Sequence, residues 1–359
     1  MVVALGGAQV SAGHQVHIVC LWFEGPLMAK AQAAGISVTC CNKKIGFDWR
    51  AMLTLRGELS KLRANVLHTH NAMSHYYAVV ASLGLGIRSI VSTRHGYGSS
   101  SVKVRGERLY KWAMCLTDHG VSVSQSLRKH FVAKGIITSA KASVVPNGIE
   151  LGGFVARNDE RAVGLRAELG LPLDAVTFGT VGRLNEVKRQ VDLLRALRVR
   201  MDAGDNVCLL LVGDGPLRTE LEQACDELAL RDRVRFLGVR TDVPALLAAM
   251  DVFVLCSRSE GYSLALVEAS AAALPIIATD VGGNSEIVAH GVSGLVVPPA
   301  NGPALAGAMA QLQADRSLRL QFGQASRAWA LKEGSLQAMC CAYERLYRSD
   351  LTEQFAATI

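Results

Sequence analysis

The 359-residue chain is half hydrophobic and 19% charged, a composition that excludes a disordered chain, and its length asks for two cores rather than one. Its net charge of +7 is unevenly spread: residues 1–150 carry 17 Lys/Arg against 6 Asp/Glu, and residues 151–359 carry 21 against 25. A basic excess confined to the first half suits an anionic surface, either membrane or nucleic acid, or is a solvated face.

Strand and helix alternate through both halves, which predicts an α/β fold with parallel sheets. In the first half, Val2–Ser11 reads as a helix, Gln15–Leu21 and Ile36–Cys41 as strands, and Trp49–Leu62 as a helix. Strands follow at Val66–Thr69, Ser89–Thr93, Gly120–Val123 and Ala142–Val145, with helices at Ser74–Leu83, Val104–Leu116 and Gln125–Ala133 between them. An acid-rich helix at Asp159–Leu169 opens the second half, so the boundary falls between Gly148 and Asp159. Strands are predicted at Val176–Val181, Val207–Val212, Val234–Leu237, Asp251–Cys256, Ile276–Thr279 and Leu295–Val297. Helices alternate with them at Gln190–Asp202, Leu217–Ala229, Val243–Met250, Ser263–Ala273 and Asn284–Ala289, and two helices close the chain.

The start departs from this pattern. A doubly wound domain opens with a strand, a Gly-rich turn and a helix, but here only a helix precedes Gly13. The first strand and its ligand-facing turn are therefore expected to be missing, the alternative being a short edge strand over Val2–Leu5. Gly6-Gly7 follows no strand and is not read as a phosphate loop. The first residues lack the basic region of a signal peptide. The longest apolar run, Leu264 to Ala278, contains Glu268 and a proline and falls short of the roughly 18–20 residues of a membrane span. The nine cysteines include no Cys-x-x-Cys pair, and Cys20, Cys208 and Cys256 sit in apolar runs, so a cytoplasmic protein with reduced, buried thiols is expected. The adjacent pairs Cys40-Cys41 and Cys340-Cys341 are read as packing.

Chemistry concentrates in the second half. Glu260-Gly-Tyr-Ser-Leu-Ala-Leu-Val-Glu268 follows a strand and leads into an Ala-rich helix. Glu260 then lies in the loop and Glu268 one turn into the helix, whose free N–H groups suit a phosphate. A carboxylate at Glu268 suits a ribose diol. Gly182-Arg-Leu-Asn-Glu-Val-Lys188 follows another strand and places Arg183 and Lys188 at the C-terminal edge of the sheet, where ligands bind in open α/β folds. Two cations on one loop suit a pyrophosphate and its developing charge as leaving group. A solvated loop is the plain alternative for either stretch alone.

In chain order, Val145-Pro-Asn-Gly-Ile149, Gly182-Arg-Leu…Lys188, Val212-Gly-Asp-Gly-Pro216, Glu260-x7-Glu268 and Gly282-Gly-Asn-x-Glu286 together resemble the retaining group 1 (family 4) glycosyltransferases of GT-B fold. The likeness runs from about Gly13 to the C-terminus, with Glu150 where the family usually carries Asp. It implies two facing Rossmann-like domains with parallel sheets and an interdomain cleft: an acceptor-side domain over 1–152, a nucleotide-sugar domain over 153–334, and a C-terminal helix over 335–359 packing back on the first. Arg183 and Lys188 would bind the donor diphosphate, Glu268 the ribose, and Glu260 the transferred sugar. Backbone N–H groups of Gly261, Tyr262, Ser263 and Leu264 would meet phosphate and sugar, and the loop through Val239 and Arg240 would meet the base edge. His95, in Thr93-Arg-His-Gly96, would face the sugar from the first domain, the alternative being a plain loop histidine.

The implied reaction transfers a hexose from a UDP- or GDP-sugar to a hydroxyl of a glycan or lipid-linked acceptor, with retention, in cell-envelope polysaccharide or glycolipid synthesis. No residue reads as a protein nucleophile, and the resemblance implies front-side displacement in which the leaving phosphate helps deprotonate the acceptor. No cofactor and no metal are expected. His68-x-His70-x4-His75 lacks a completing ligand nearby, and no Asp-x-Asp occurs. His70 and Asn71 are candidates for the acceptor side. The basic stretch Arg88, Arg94, Lys103, Arg105, Arg108 and Lys111, interleaved with Tyr110, Trp112 and Met114, suits lipid headgroups, so a peripheral site on the inner membrane face is expected. Core packing of those aromatics is the alternative, and no nucleic-acid partner is expected because they lack sheet-platform spacing. Two other classes remain open: a sugar-nucleotide epimerase on the same fold, and a truncated, non-catalytic binding protein.

Overall fold

The computed structural model describes residues 1–98, 104–154 and 160–356; Lys103 and Asp159 lie outside them, as does the side chain of Arg105. The described chain forms two compact units, Met1–Gly148 with the segment from Leu336 onward, and Ile149–Ser335.

The first unit opens with α1 (Val2–Ser11), a helix throughout, which corrects the alternative of an edge strand at Val2–Leu5. Leu5 lies in a core cluster with Met339 and Tyr343, with Met1, Ala4 and Ala8 packed against it; helical spacing brings these residues to one face. Next come β1 (His17–Cys20), α2 (Met28–Ala33) and β2 (Ser37–Cys40). The six residues of α2 are too few to carry a periodic signal, so sequence patterning missed it. α3 (Trp49–Leu62) begins at Asp48, whose carboxylate accepts from the N–H groups of Arg50 and Ala51, and ends at Arg63 in the left-handed region. β3 (Val66–His70), α4 (Ala72–Ser82), β4 (Ser89–Arg94), α5 (Val104–Cys115), β5 (His119–Ser122), α6 (Gln125–Ala133) and β6 (Ala142–Val144) follow.

Two hydrogen-bonded sheets result. β1 and β2 form a parallel pair, and β3-β4-β5-β6 form a parallel sheet of four. Both sheets contribute to one core, in which Leu21 and Cys41 meet Leu55, Leu67 and Tyr77.

The second unit runs α7 (Glu160–Glu168), β7 (Val176–Val181), α8 (Gln190–Asp202), β8 (Val207–Val212), α9 (Arg218–Glu227), β9 (Val234–Gly238), α10 (Val243–Ala248), β10 (Val252–Leu255), α11 (Leu264–Ala271), β11 (Ile276–Thr279), α12 (Asn284–Ile287) and β12 (Gly294–Val297). Its six strands are all parallel in the order β12-β11-β10-β7-β8-β9. Strands β8, β10 and β11 are buried along their whole length, as expected for a sheet covered on both faces. The chain steps outward from β7 to β9, then returns to the other flank of β7 as β10. Strand order therefore reverses between β7 and β10, the place where open α/β sheets bind ligands.

Three helices follow β12, not the two expected: α13 (Gly302–Ala314), α14 (Arg316–Glu333) and α15 (Leu336–Ala356). Asp315 makes the extra break. Its extended backbone ends α13, and its carboxylate accepts from Leu318 N–H to start α14. α15 returns to the first unit, where Tyr347 Oη accepts from Gln9 Nε2 on α1 at 3.2 Å.

Candidate active site

The loops after β7 and β10 sit side by side at the reversal point. Lys188, on the first, reaches Glu260 on the second, with Nζ 2.6 Å from Oε1. The same carboxylate oxygen accepts from Ser257 Oγ at 2.6 Å. Ser257 is fixed in turn, because its carbonyl accepts from Thr279 Oγ1 at the end of β11. The β7 loop is held by Gln190 Nε2 on the Arg183 carbonyl at 3.0 Å and by Asn185 Oδ1 on Lys188 N–H at 3.1 Å. Arg258 N–H bonds the Val187 carbonyl at 2.8 Å, tying the two loops together. Arg183 projects from this frame, exposed and without an ion pair among the described residues.

Backbone contact sets how close these loops come. A Cβ on Gly282 would stand 1.6 Å from the Glu260 carbonyl oxygen, and its φ of +57° belongs to the left-handed region. A Cβ on Gly213 would meet the Gly182 carbonyl oxygen at 2.1 Å. The glycines of the motifs thus let backbone lie on backbone around Glu260 and the β7 loop.

α11 begins at Leu264 immediately beyond Glu260, and the Ser263 hydroxyl does not cap it. In its first turn the N–H groups of Leu266 and Val267 bond the Ser263 carbonyl, which leaves those of Leu264 and Ala265 as the open donors among the described residues. Gly261, Ser263 and Leu264 form the approach to that turn, while Tyr262 turns inward: its hydroxyl is buried without a hydrogen-bond partner among the described residues. Burial, with the nearby Glu286 and Glu333, raises its phenol. Glu268 follows one turn inside α11 and is largely buried; burial pushes its carboxyl up to about 6. Val239 stands exposed beyond β9, and Arg240 pairs with Asp242 at 2.6 Å at the same surface.

In the first unit, β3 and β4 bring three histidines together. His70 Nδ1 lies 3.0 Å from His95 Nε2, and the rings stack at 5.3 Å. His68 bonds Tyr347 Oη and Thr93 Oγ1, both at 2.8 Å, and Thr93 bonds Tyr343 Oη at 3.0 Å. Burial, then the positive α-amino group of Met1, lowers His95 to about 4. Burial and His95 lower His68 to about 3. Burial, then His68, His95 and the α-amino group, holds His70 well below the ordinary range. All three imidazoles are neutral at pH 7. His75 belongs to a separate buried network, between Thr69 and Thr117. No group of three or more candidate ligands is arranged for a metal among the described residues. Sequence reading named His95 but missed its pairing with His70.

The basic stretch is partly core. Tyr110 and Met114 are buried, and Arg94 lies buried beneath them, 4.8 Å over the Tyr110 ring, which corrects their reading as headgroup contacts. Arg88, Arg108, Lys111 and Trp112 remain exposed. Among the described residues no helix is long and apolar enough to cross a membrane.

These two units, with a cation and a carboxylate meeting at the sheet reversal of the second, have the architecture of a GT-B glycosyltransferase. A family profile described as glycosyl transferases group 1 matches residues 164–329, and one described as glycosyltransferase family 4 matches residues 1–152. The chain is 30% identical over 292 residues to N-acetyl-alpha-D-glucosaminyl L-malate synthase of Bacillus anthracis, covering 79% of this chain and 74% of that protein. It is 29% identical over 272 residues to UDP-Gal:alpha-D-GlcNAc-diphosphoundecaprenol alpha-1,3-galactosyltransferase of Escherichia coli, covering 73% and 70%. Its fold matches Anabaena Alr3699/HepE, solved in complex with UDP, with a TM-score of 0.87 at 21% identity over 97% of this chain and 95% of that one. The protein belongs to the group 1, family 4 glycosyltransferases.

Proposed function

We propose that this glycosyltransferase moves a hexose, with retention, from a UDP- or GDP-sugar to a hydroxyl of a glycan or lipid-linked acceptor in envelope polysaccharide or lipopolysaccharide synthesis. The observation that carries the reading is the meeting of Lys188 and Glu260 at the β7–β10 reversal, beside the uncapped start of α11. Arg183, Lys188 and the first-turn N–H groups of α11 receive the diphosphate, and Glu268 receives the ribose diol. Glu260 meets the sugar hydroxyls, with Gly261, Tyr262, Ser263 and Leu264 around it. Val239 and Arg240 border the base through their backbone. His95, neutral, presents an imidazole to the sugar.

The bond between C1 and the β-phosphate oxygen breaks as the acceptor oxygen bonds C1 on the same face. The acceptor proton passes to the departing phosphate oxygen. Arg183 and Lys188 stabilise the charge gathering on that diphosphate, a task that in this reading needs no divalent metal. Support for a uridine donor comes from the Anabaena structure's UDP, and for a lipid diphosphate acceptor from the Escherichia coli relative's name. The basic first unit would seat on the inner membrane face where such an acceptor lies.

The test is a panel of nucleotide sugars assayed for nucleotide release with and without a polyprenyl diphosphate sugar. Release that rises with acceptor and yields a glycosylated lipid supports the reading. A new sugar nucleotide formed without acceptor would instead identify an epimerase, and no release with any donor would overturn transfer.

A further inference from the structure

An unexplained apolar surface lies in the first unit, in the loops after β1 and β2. Trp22, Phe23, Leu27, Ile45, Phe47 and Trp49 are all exposed; Ile45 is 96% exposed, Phe47 74% and Phe23 65%. Single exposed apolar residues are ordinary, but five in two neighbouring loops and a sixth at the start of α3 are not.

The loops form one surface because Lys43 joins them. Lys43 is itself buried. Its Nζ donates to the carbonyls of Lys44 at 2.8 Å and Gly46 at 2.5 Å, and stands 4.7 Å over the Trp22 ring and 5.3 Å over the Tyr77 ring. Its N–H bonds the Leu21 carbonyl at 2.8 Å. Phe47 packs on Tyr77 with ring centroids 6.0 Å apart, and the Tyr77 hydroxyl accepts from Asp48 N–H at 2.8 Å. Gly46, at φ +89°, makes the turn that places Ile45 at the tip. The loop is thus a braced finger holding an isoleucine in water.

Charge identifies its partner. Lys30, Lys44 and Arg50 are exposed around these side chains. Of the two acidic groups there, Asp48 is taken up as the cap of α3, leaving Glu24. Tryptophan and basic residues around an apolar wedge match the headgroup boundary of a bilayer. A second copy would set basic rim against basic rim, which an anionic lipid surface avoids.

We propose that the loops 21–27 and 42–49, with the start of α3, form a bilayer-seating surface in which Phe23, Ile45 and Phe47 enter the acyl boundary while Lys30, Lys44 and Arg50 meet anionic headgroups. This deepens, and rests on, the membrane-surface reading of the first unit, and moves the anchor away from α5.

The test is cosedimentation of the full chain with phosphatidylcholine vesicles, with and without phosphatidylglycerol, beside sedimentation velocity without lipid. The unaltered protein should bind the anionic vesicles in a salt-sensitive way. Phe23→Glu/Ile45→Glu should weaken that binding by about tenfold or more, while Arg108→Glu/Trp112→Glu on α5 should weaken it less. Both positions are exposed, so melting temperature and donor hydrolysis should not move. Retained binding by the loop variant overturns the proposal, as does greater loss in the α5 variant or equal binding to both vesicle types. A lipid-independent dimer broken by the loop variant would assign the surface to a second copy instead. Donor hydrolysis in the same samples separates each of these outcomes from failure of the transferase reading.

Discussion

Lys188 Nζ lies 2.6 Å from Glu260 Oε1, which also accepts from Ser257 Oγ, so the cation proposed for the donor diphosphate is already paired before any donor arrives. A diphosphate must share or replace that carboxylate. The pair is partly buried, and truncating one member leaves the other short of a partner. Lys188→Ala should therefore lower turnover by about a hundredfold or more and also lower the melting temperature slightly. Arg183→Ala should lower turnover with no change in melting, because Arg183 is exposed and holds no ion pair among the described residues. Nucleotide release and thermal melting on the same samples decide it. Full turnover in both variants would place the diphosphate elsewhere.

Glu268→Ala should weaken donor binding by about 1.5–3 kcal/mol, the worth of a hydrogen bond to a charged group. Glu268→Gln separates binding from stability. Burial raises the Glu268 carboxyl to about 6, so ionising it costs the folded state. Between the ordinary value of 4.5 and about 6 the folded chain holds a proton that the unfolded chain has released, so this group's contribution to stability falls as pH rises through that window. The neutral Gln should accordingly raise stability at pH 7, by at most about 2 kcal/mol, while donor affinity falls. Calorimetric titration with UDP and with GDP, beside urea denaturation, checks both. Unchanged affinity would remove Glu268 from the site.

Much of this was legible in the sequence. Alternating strand and helix announced the parallel sheets of both units, most clearly in the second, where β7 to β12 are short apolar runs punctuated by glycine. The site loops were legible for the same reason: Gly182, Gly213 and Gly282 mark places where backbone must approach backbone. What escaped depends on contacts distant in sequence. Lys43-Lys44 reads as a solvated pair, yet Lys43 is 2% exposed because two carbonyls and two aromatic faces satisfy its ammonium. Tyr110 and Met114 look like part of a basic amphipathic face, and only the packing of α5 shows which face turns inward. His70 and His95 are 25 residues apart and meet only because β3 and β4 pair with His70 opposite Thr93.

The fold of the second unit should depend on a pair far from the donor loops. Arg166 Nη1 lies 3.1 Å from Asp251 Oδ2, and its guanidinium also donates to the carbonyls of Ala249, Ala175 and Pro172. Asp251 Oδ2 accepts from Thr177 N–H at the start of β7. Arg166→Met should destabilise by about 3–5 kcal/mol, because it takes the paired cation from a buried carboxylate. Adding Asp251→Asn should recover part of the loss, since an amide oxygen still accepts from Thr177. Urea denaturation of both variants tests this, and a single variant as stable as the parent would contradict it.

Activity should survive EDTA. In the proposed site Arg183, Lys188 and the start of α11 supply the positive charge that meets the diphosphate. Turnover abolished by EDTA and restored by magnesium or manganese would show that these groups do not suffice.

The pH dependence should distinguish the two units. His68 sits at about 3 and His95 at about 4, and burial holds His70 well below the ordinary range, so none of them changes charge between pH 5.5 and 8. Glu268, at about 6, does. As pH falls through that value its carboxylate takes a proton and can no longer accept from both ribose hydroxyls. The profile of kcat/KM, which reports free-enzyme groups, should therefore lose activity below about pH 6 through Glu268 and not through an imidazole. Glu268→Gln should have a low but flat profile across that limb. His95→Gln should lose about ten- to a hundredfold in turnover, consistent with a polar contact to the sugar, and keep the limb where it was. Should His95→Gln erase the limb while Glu268→Gln retains it, the titrating group would be His95, and the histidine cluster would hold a proton in the working enzyme that burial denies it here.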